Sequence, residues 1–461
     1  MTCKNRSFYA LQDNKTAKKS FYHCMVRRLF FFLFMISAVL TACTDNDSFS
    51  SSTGNRLTFT TDTVKFDTLF STVPSATKTF WIHNESSDGI RIRTARLERG
   101  TQSGYRVNVD GTYLDPVGTD FEIRKGDSLL VFVEVTTREV HSNEPQLIED
   151  NLLLTLESGV EQRVNLRTFS WDALKLSELT IHHDTIISSR VPIILYGKGI
   201  EVDPDVTLTI RDTELYFHDG AGVLVKGQLL ADGCLFRGDR LDRMFSYLPY
   251  DRVSGQWQGI TLTSPSEANV LVNCEIRNAI DALICDSSSV VLTNSIIHNS
   301  SGVGLSARQS HVTLSYCQLT NTFGDCLSLE GCEAIVDHCT LAQFYPFSAN
   351  RGYALHFVNA KKSLPMLLKC TNTLVTGYAD DVVMGEVQDT TVVYDYYFSD
   401  CLLRTPIVED STRFERIIWE TSKDSIQGTK HFVNIDEDNL YYDFTIDSIS
   451  PAYSRSIGRI F

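Results

Sequence analysis

The 461-residue chain is short of positive charge: 42 Lys+Arg face 57 Asp+Glu, a formal net charge of −15. That deficit excludes the phosphate-seeking surface of a nucleic-acid binder. No apolar run reaches the ~20 residues of a membrane-spanning helix. No Cys-x-x-Cys occurs, and the 11 histidines are scattered without ligand spacing, so no metal centre is signalled. No catalytic signature of a lyase or hydrolase stands out either. What the chain does have is 43 % hydrophobic and 21 % charged residues, which sets it apart from disordered and multi-span proteins. Its length allows two to four domains at ~100–200 residues each.

Residues 1–42 read as a leader. Arg27 and Arg28 precede the apolar run Leu29 to Leu40, and small residues follow, the layout of a secretory signal peptide. Met25 would begin a signal of ordinary size. Leu40-Thr41-Ala42-Cys43 resembles a bacterial lipobox, which implies cleavage before Cys43 and a lipid on its sulfur. The alternative is an ordinary signal peptide whose cysteine is accidental. Cleavage removes seven basic residues and one acid, moving the formal charge from −15 to −21. A surface so acidic resists anionic lipid, so the membrane partner is reached through the lipid on Cys43. Residues 43–56 form a polar tether. Asp45 and Asp47 resemble, in part, the surface-export signal of Bacteroidetes lipoproteins. The address implied is the bacterial outer membrane, facing the periplasm or the outside.

Residues 57–172 alternate in short apolar segments, among them Val64/Phe66, Phe80/Ile82, Tyr105/Val107/Val109 and Leu152/Leu154/Leu156. Turn residues such as Ser87-Asp88-Gly89 and Lys125-Gly126-Asp127 separate them, as in a β-sandwich. The order of its segments resembles immunoglobulin-like sandwiches that precede other bacterial surface domains. No cysteine pair spans it, and no active-site constellation is visible. A spacer is expected, and residues 173–189 are expected to link it to the next section.

From 190 to 410 the sequence repeats with a period near 22. Cys274, Ser295, Cys317 and Cys339 share one position; Leu271, Leu292, Leu314 and Val336 precede them by three residues, and Ile276, Ile297, Leu319 and Leu341 follow by two. Asn278, Asn299 and Asn321 form a further row, and Leu283, Leu305 and Leu327 mark a second strand. Helical repeats need ~33–47 residues and a 3.6 period, so short strands stacked in coils are expected instead. The pattern resembles the right-handed parallel β-helix of the pectate-lyase-like superfamily. The fold class expected is therefore all-β: an immunoglobulin-like sandwich, then a right-handed parallel β-helix, then a C-terminal cap over 411–461 built on Trp419, Phe432, Tyr441, Tyr442, Phe444 and Ile446. The resemblance implies an asparagine ladder at 278, 299 and 321, and an inward row at Cys274, Ser295, Cys317 and Cys339. Nine cysteines lie in this section; an odd number cannot pair completely, and buried free thiols acting as small hydrophobes are expected.

Two excursions interrupt the repeat. Between Cys234 and Ile260 lie Asp239, Arg240, Arg243, Tyr247, Tyr250, Arg252 and Trp257, a set that offers either a sugar-stacking, anion-gripping loop or a structural plug. The second excursion carries Tyr345, Arg351, Lys361 and Lys362. A hydrolase would need two or three carboxylates at set separations. A lyase would need a cation such as Ca²⁺ beside a base. Asp281, Asp325, Asp380 and Asp381 are candidates for the carboxylates and Arg351 for the base, though Asp also suits turns. Beyond that possible Ca²⁺, no cofactor or metal is expected. Two functions are open: an envelope or surface scaffold that holds polysaccharide, or a polysaccharide lyase or glycoside hydrolase using Asp325 and Arg351.

Overall fold

The computed structural model describes residues 48–265, 268–360 and 365–460. The leader, Cys43, the first residues of the tether up to Asp47, Lys361 and Lys362 lie outside the described residues.

Residues 57–172 form two five-stranded sheets packed face to face. Pairing is antiparallel except where Glu161–Trp171 meets Thr63–Phe70 in parallel. The period-two alternation explains the core, because one face of each strand must turn inward. Val64, Phe80, Ile82, Val107, Leu154 and Leu166 are all buried in one cluster.

Residues 174–419 form a right-handed parallel β-helix, built from one 18-stranded and one 10-stranded sheet of parallel strands. Each coil runs along three faces. In one coil, Ser289–Thr293 lies on the third face, Ile296–Ser300 on the first and Leu305–Arg308 on the second. The rows read from the sequence are in register: Ile276, Ile297, Leu319 and Leu341 pair coil to coil, as do Leu271, Leu292, Leu314 and Val336. Stacking equivalent residues gives one continuous apolar core.

The corner between the third and first faces uses one repeated device. Asp212, Asn273, Asn294, Tyr316, His338, Asn372 and Asp400 all have φ between 45° and 55°, the left-handed region that turns the chain in a single residue. Gly233, at φ 64°, fills the same corner, and the residue after each points inward: Thr213, Cys234, Cys274, Ser295, Cys317, Cys339, Thr373 or Cys401. Every one of these hydroxyls or thiols donates to the carbonyl two residues earlier, at 2.7–3.3 Å. Ser295 and Thr373 also accept from the backbone N–H of the preceding coil. The position therefore selects a small side chain with a donor, which Cys, Ser and Thr all supply. All nine cysteines of the solenoid are buried free thiols. Burial pushes Cys326 up to about 12 and Cys332 to about 11, so they remain protonated at neutral pH.

Side-chain amides do bond along the axis, but one corner away from the expected row. Asn273 Nδ2 donates to Asp232 Oδ1 at 3.0 Å, and Asn294 Nδ2 to Asn273 Oδ1 at 2.8 Å. Asn278, Asn299 and Asn321 are buried with φ of 63°, 61° and 55°. Asn278 spends its amide on the carbonyls of Asp251 and Val253.

Two boundaries differ from expectation. Residues 173–189, expected to link the two sections, belong to the first coil: Leu174–Ile181 pairs with Ile193–Val202, and Thr185–Ser188 with Thr207–Arg211. A terminal coil has a neighbour on one side only, so its apolar row is sparse; Leu174 and Ile186 are exposed. At the other end, Phe414, Ile417 and Trp419 close the core. The remaining C-terminal aromatics do not cap that coil. They run back along the first face, where Phe432, Phe444, Ile446, Ala452 and Ile457 cover Ala342, Leu374 and Leu402. Those outward positions are apolar and need covering; burying one leucine is worth about 1.5–3 kcal/mol. The tail is stitched down by Gly458 N to the Asn372 carbonyl at 2.7 Å and by Arg459 N to Thr340 Oγ1 at 3.0 Å.

Sandwich and solenoid meet through an aromatic cluster, with Phe70 4.9 Å from Tyr216 and 5.9 Å from Trp171, ring centroid to ring centroid.

Candidate functional site

The excursion between Cys234 and Ile260 is bound up in its own pairs. Asp239 meets His218 Nδ1 at 2.8 Å. Arg240 grips Asp242 with two bonds of 2.7 and 2.6 Å and stacks 4.0 Å over Tyr250. Arg243 reaches Asp67 of the sandwich at 3.3 Å, making this loop a strap between domains. Trp257 is fully buried, stacked on Phe217 at 4.3 Å, and donates Nε1–H to the Arg277 carbonyl at 2.8 Å. Gly255 and Gly259, at φ 78° and 94°, let the chain re-enter the coil on either side of it. Tyr247 stands at the tip, 68 % exposed and stacked on Phe245. The seven residues thus do not converge on one patch. Arg243 and Arg252 line two separate cavities, Arg243 one against the sandwich and Arg252 one on the solenoid.

Asp325 and Arg351 are not joined by an ion pair among the described residues. Asp325 accepts from Tyr353 N at 2.7 Å and pairs with His356 Nδ1 at 2.9 Å, which raises the His356 pKa. Arg351 donates Nε–H to the Tyr345 carbonyl and lies 4.5 Å over Tyr378. Asp281 accepts from Val303 N at 3.0 Å, a turn role. No cluster of three or more His, Cys, Asp or Glu side chains able to hold a metal occurs among the described residues.

The side chains that do converge line a groove of about 500 Å³ on the first face. Its floor is the outward side of two neighbouring strands, Glu275–Arg277 and Ile296–Ser300. Asp251 and Arg252 of the strap form one wall, and the C-terminal hairpin, Phe432–Asp436 with Tyr441–Ile446, forms the other. The walls touch where Arg252 donates to the Asn439 carbonyl and lies 5.8 Å over Tyr441. Along the floor, Arg277 Nη1 sits 3.2 Å from Asp251 and 3.3 Å from Glu275. Arg237 binds Asp251 from below at 2.8 Å, and burial lowers its pKa. His298 lies beneath Tyr442 and Phe444 with ring centroids 6.4 and 6.0 Å away. Desolvation, helped by Arg277, pulls it down to about 4, so it is neutral at pH 7 and bonds Thr320 Oγ1 at 2.9 Å. Burial pushes Tyr442 up to about 12, so its phenol stays protonated.

Three buried polar atoms of groove-lining residues have no hydrogen-bond partner: Arg277 Nε, Arg459 Nε and Tyr442 Oη. Arginine nitrogens only donate, so two of the three call for an acceptor. Arg252 and the hairpin aromatics were visible in the sequence as unusual residues; Glu275, Arg277 and His298 were not. Their signal is that Arg277 and His298 occupy an outward position where later coils carry Thr320 and Ala342, and Glu275 one where they carry Ile296, Gln318 and Thr340. Arg459 has no local signal, because 165 residues separate it from its partner Asn294.

Residues 170–362 match the family described as right handed beta helix region. That is the class of fold the solenoid defines, and it does not name a reaction. No curated protein matches. Among solved structures, one similarity is to a family 123 glycoside hydrolase from Clostridium perfringens, at 6 % identity and TM-score 0.19. It covers 27 % of this chain and 30 % of that one, so the likeness spans under a third of the hydrolase. Another is to an ASH/PapD-like domain of human CEP192, at 10 % identity and TM-score 0.17, covering 26 % of this chain and 87 % of that domain.

Proposed function

We propose that the protein is a lipid-anchored scaffold of the bacterial cell envelope that holds polysaccharide without turning it over. Lipid on Cys43 tethers it to the outer membrane, the sandwich stands as a spacer, and the solenoid offers a rigid face. The observation that carries the reading is the groove itself: aromatic rings from the hairpin stand over a floor of fixed hydrogen-bonding side chains. Pyranose rings are bound by this combination of stacking surface and oriented polar groups. Asp251 of the wall and Glu275 of the floor are both held by Arg277, an arrangement suited to orienting a ligand rather than to donating a proton.

A glycan array probed with the mature chain tests this. Binding to a defined set of polysaccharides, lost when Tyr441 and Tyr442 become alanine, supports it; absence of binding to any glycan contradicts it. Depolymerisation of a bound glycan, with or without Ca²⁺, would replace the scaffold by a lyase or hydrolase.

A further inference from the structure

The groove holds more cationic hydrogen-bonding capacity than its own acids use. Four guanidinium groups reach it or lie under it: Arg237, Arg252, Arg277 and Arg459. Three carboxylates face them: Asp251, Glu275 and Asp443. Arg237 and Arg277 share Asp251, and Arg277 also takes Glu275. Arg459 has no carboxylate within 4 Å among the described residues. Its Nη2 donates to the Asn294 amide oxygen at 3.2 Å, and its Nε is buried without an acceptor. Burial lowers the Arg459 pKa and outweighs the more distant charge of Glu275, the cost of a cation kept from water without a directly paired carboxylate. On the same floor, Arg277 Nε is buried and equally unpaired. Lining the same groove, Tyr442 carries a protonated, unpaired hydroxyl.

We propose that this end of the groove is an oxyanion subsite, in which Arg459 Nε, Arg277 Nε and Tyr442 Oη donate to one negatively charged group of the bound ligand. The proposal rests on the glycan-holding reading above and deepens it by naming the chemistry at that site: a saccharide bearing a carboxylate, a sulfate or a phosphate ester. Charge-assisted bonds from arginine to such groups are short and roughly twice as strong as neutral ones. The acidic chain repels such ligands at long range, so recognition depends on these local donors.

The test is isothermal titration of the mature protein with inorganic sulfate, inorganic phosphate and sodium glucuronate at fixed ionic strength. One or more should bind the wild type, and Arg459→Gln should weaken that binding about tenfold or more, the loss expected for a charge-assisted hydrogen bond. Arg459→Lys, which keeps the charge but lacks the Nε–H, should also bind more weakly than wild type. It carries the test if Arg459→Gln fails to fold. Arg308→Gln, far away on the second face and paired with Asp286, should bind as wild type. No binding of any of the three anions, or equal binding by wild type and both Arg459 variants, overturns the subsite. Matched neutral and acidic oligosaccharides then separate the two claims. Equal binding of both overturns the subsite and leaves a glycan groove; binding of free anions with no oligosaccharide bound overturns the glycan reading and leaves the subsite.

Discussion

Glu420 holds the groove's outer wall in place, and replacing it should release that wall before the solenoid unfolds. The residue is buried at the end of the first face, with four partners. Arg404 Nη1 donates to Oε1, as does Gly428 N at 2.6 Å; Thr376 Oγ1 donates to Oε2 at 2.8 Å, with His431 Nε2 at 3.1 Å. Two of those four, Gly428 and His431, belong to the segment that leads into the hairpin, and His431 passes the chain on to Ser450 at 2.8 Å. Breaking a buried charge pair by removing one partner costs about 3–5 kcal/mol. Here Asp380, exposed and 3.0 Å from Arg404, retains part of the compensation, so Glu420→Ala should cost about 3 kcal/mol and Glu420→Gln less. Coils of a solenoid interact mainly with their neighbours, so the loss should be local. Hydrogen exchange read over 428–460 and over 289–343 distinguishes the cases. Faster exchange in the first region with the second unchanged is expected; equal acceleration of both, or a cost below about 0.5 kcal/mol, refutes the anchoring role. The pH dependence has a fixed sign. Burial alone would raise the Glu420 pKa, but His431, Arg404 and the Gly428 N–H outweigh it and hold it below the ordinary value. A lowered folded-state pKa stabilises above the unfolded value of ~4.3, and that stability is lost as pH falls through the folded one. Wall release should therefore set in on acidification in the wild type and be pH-independent over that range in Glu420→Gln.

Four further outcomes are expected. Cys317→Ser should change stability by less than about 1 kcal/mol, because serine already fills that position at Ser295, whereas Cys317→Leu should cost about 1–3 kcal/mol by overpacking; chemical denaturation of both variants checks this. Trp257→Ala should cost about 3–5 kcal/mol, as removal of a fully buried ring does, while Tyr247→Ala at the exposed tip should be neutral in the same experiment. Thiol titration of the unfolded, unreduced mature domain should count well above one free thiol, and one or none would contradict the ladder of buried cysteines. Palmitate label should enter the wild type and not Cys43→Ser; equal labelling of both would end the anchoring proposal.

Much of the architecture was legible because a solenoid writes its register into its period. Ile276, Ile297, Leu319 and Leu341 recur at nearly equal steps, and each pairs with the next. The cysteine row was legible as inward but not as a hydrogen-bonding position, since the donor role emerges only where the thiol meets the carbonyl two residues back. The amide bonds along the axis lie one corner from the asparagine row of the sequence. Asn273 and Asn294 share their position with Tyr316 and His338, so the asparagine series breaks there, while Asn278, Asn299 and Asn321 keep theirs. The groove was the least legible part. It is assembled from the strap at Asp251, two strands of the first face and a tail that returns across more than 150 residues to Asn294, and no local pattern encodes that return.

The most direct test of polysaccharide holding in the groove is affinity electrophoresis of the mature protein through gels cast with the glycans its array selects. Wild type and Tyr247→Ala should be retarded alike, and Tyr441→Ala/Tyr442→Ala should run as in a gel without glycan. Retardation of the double variant equal to that of the wild type would contradict it.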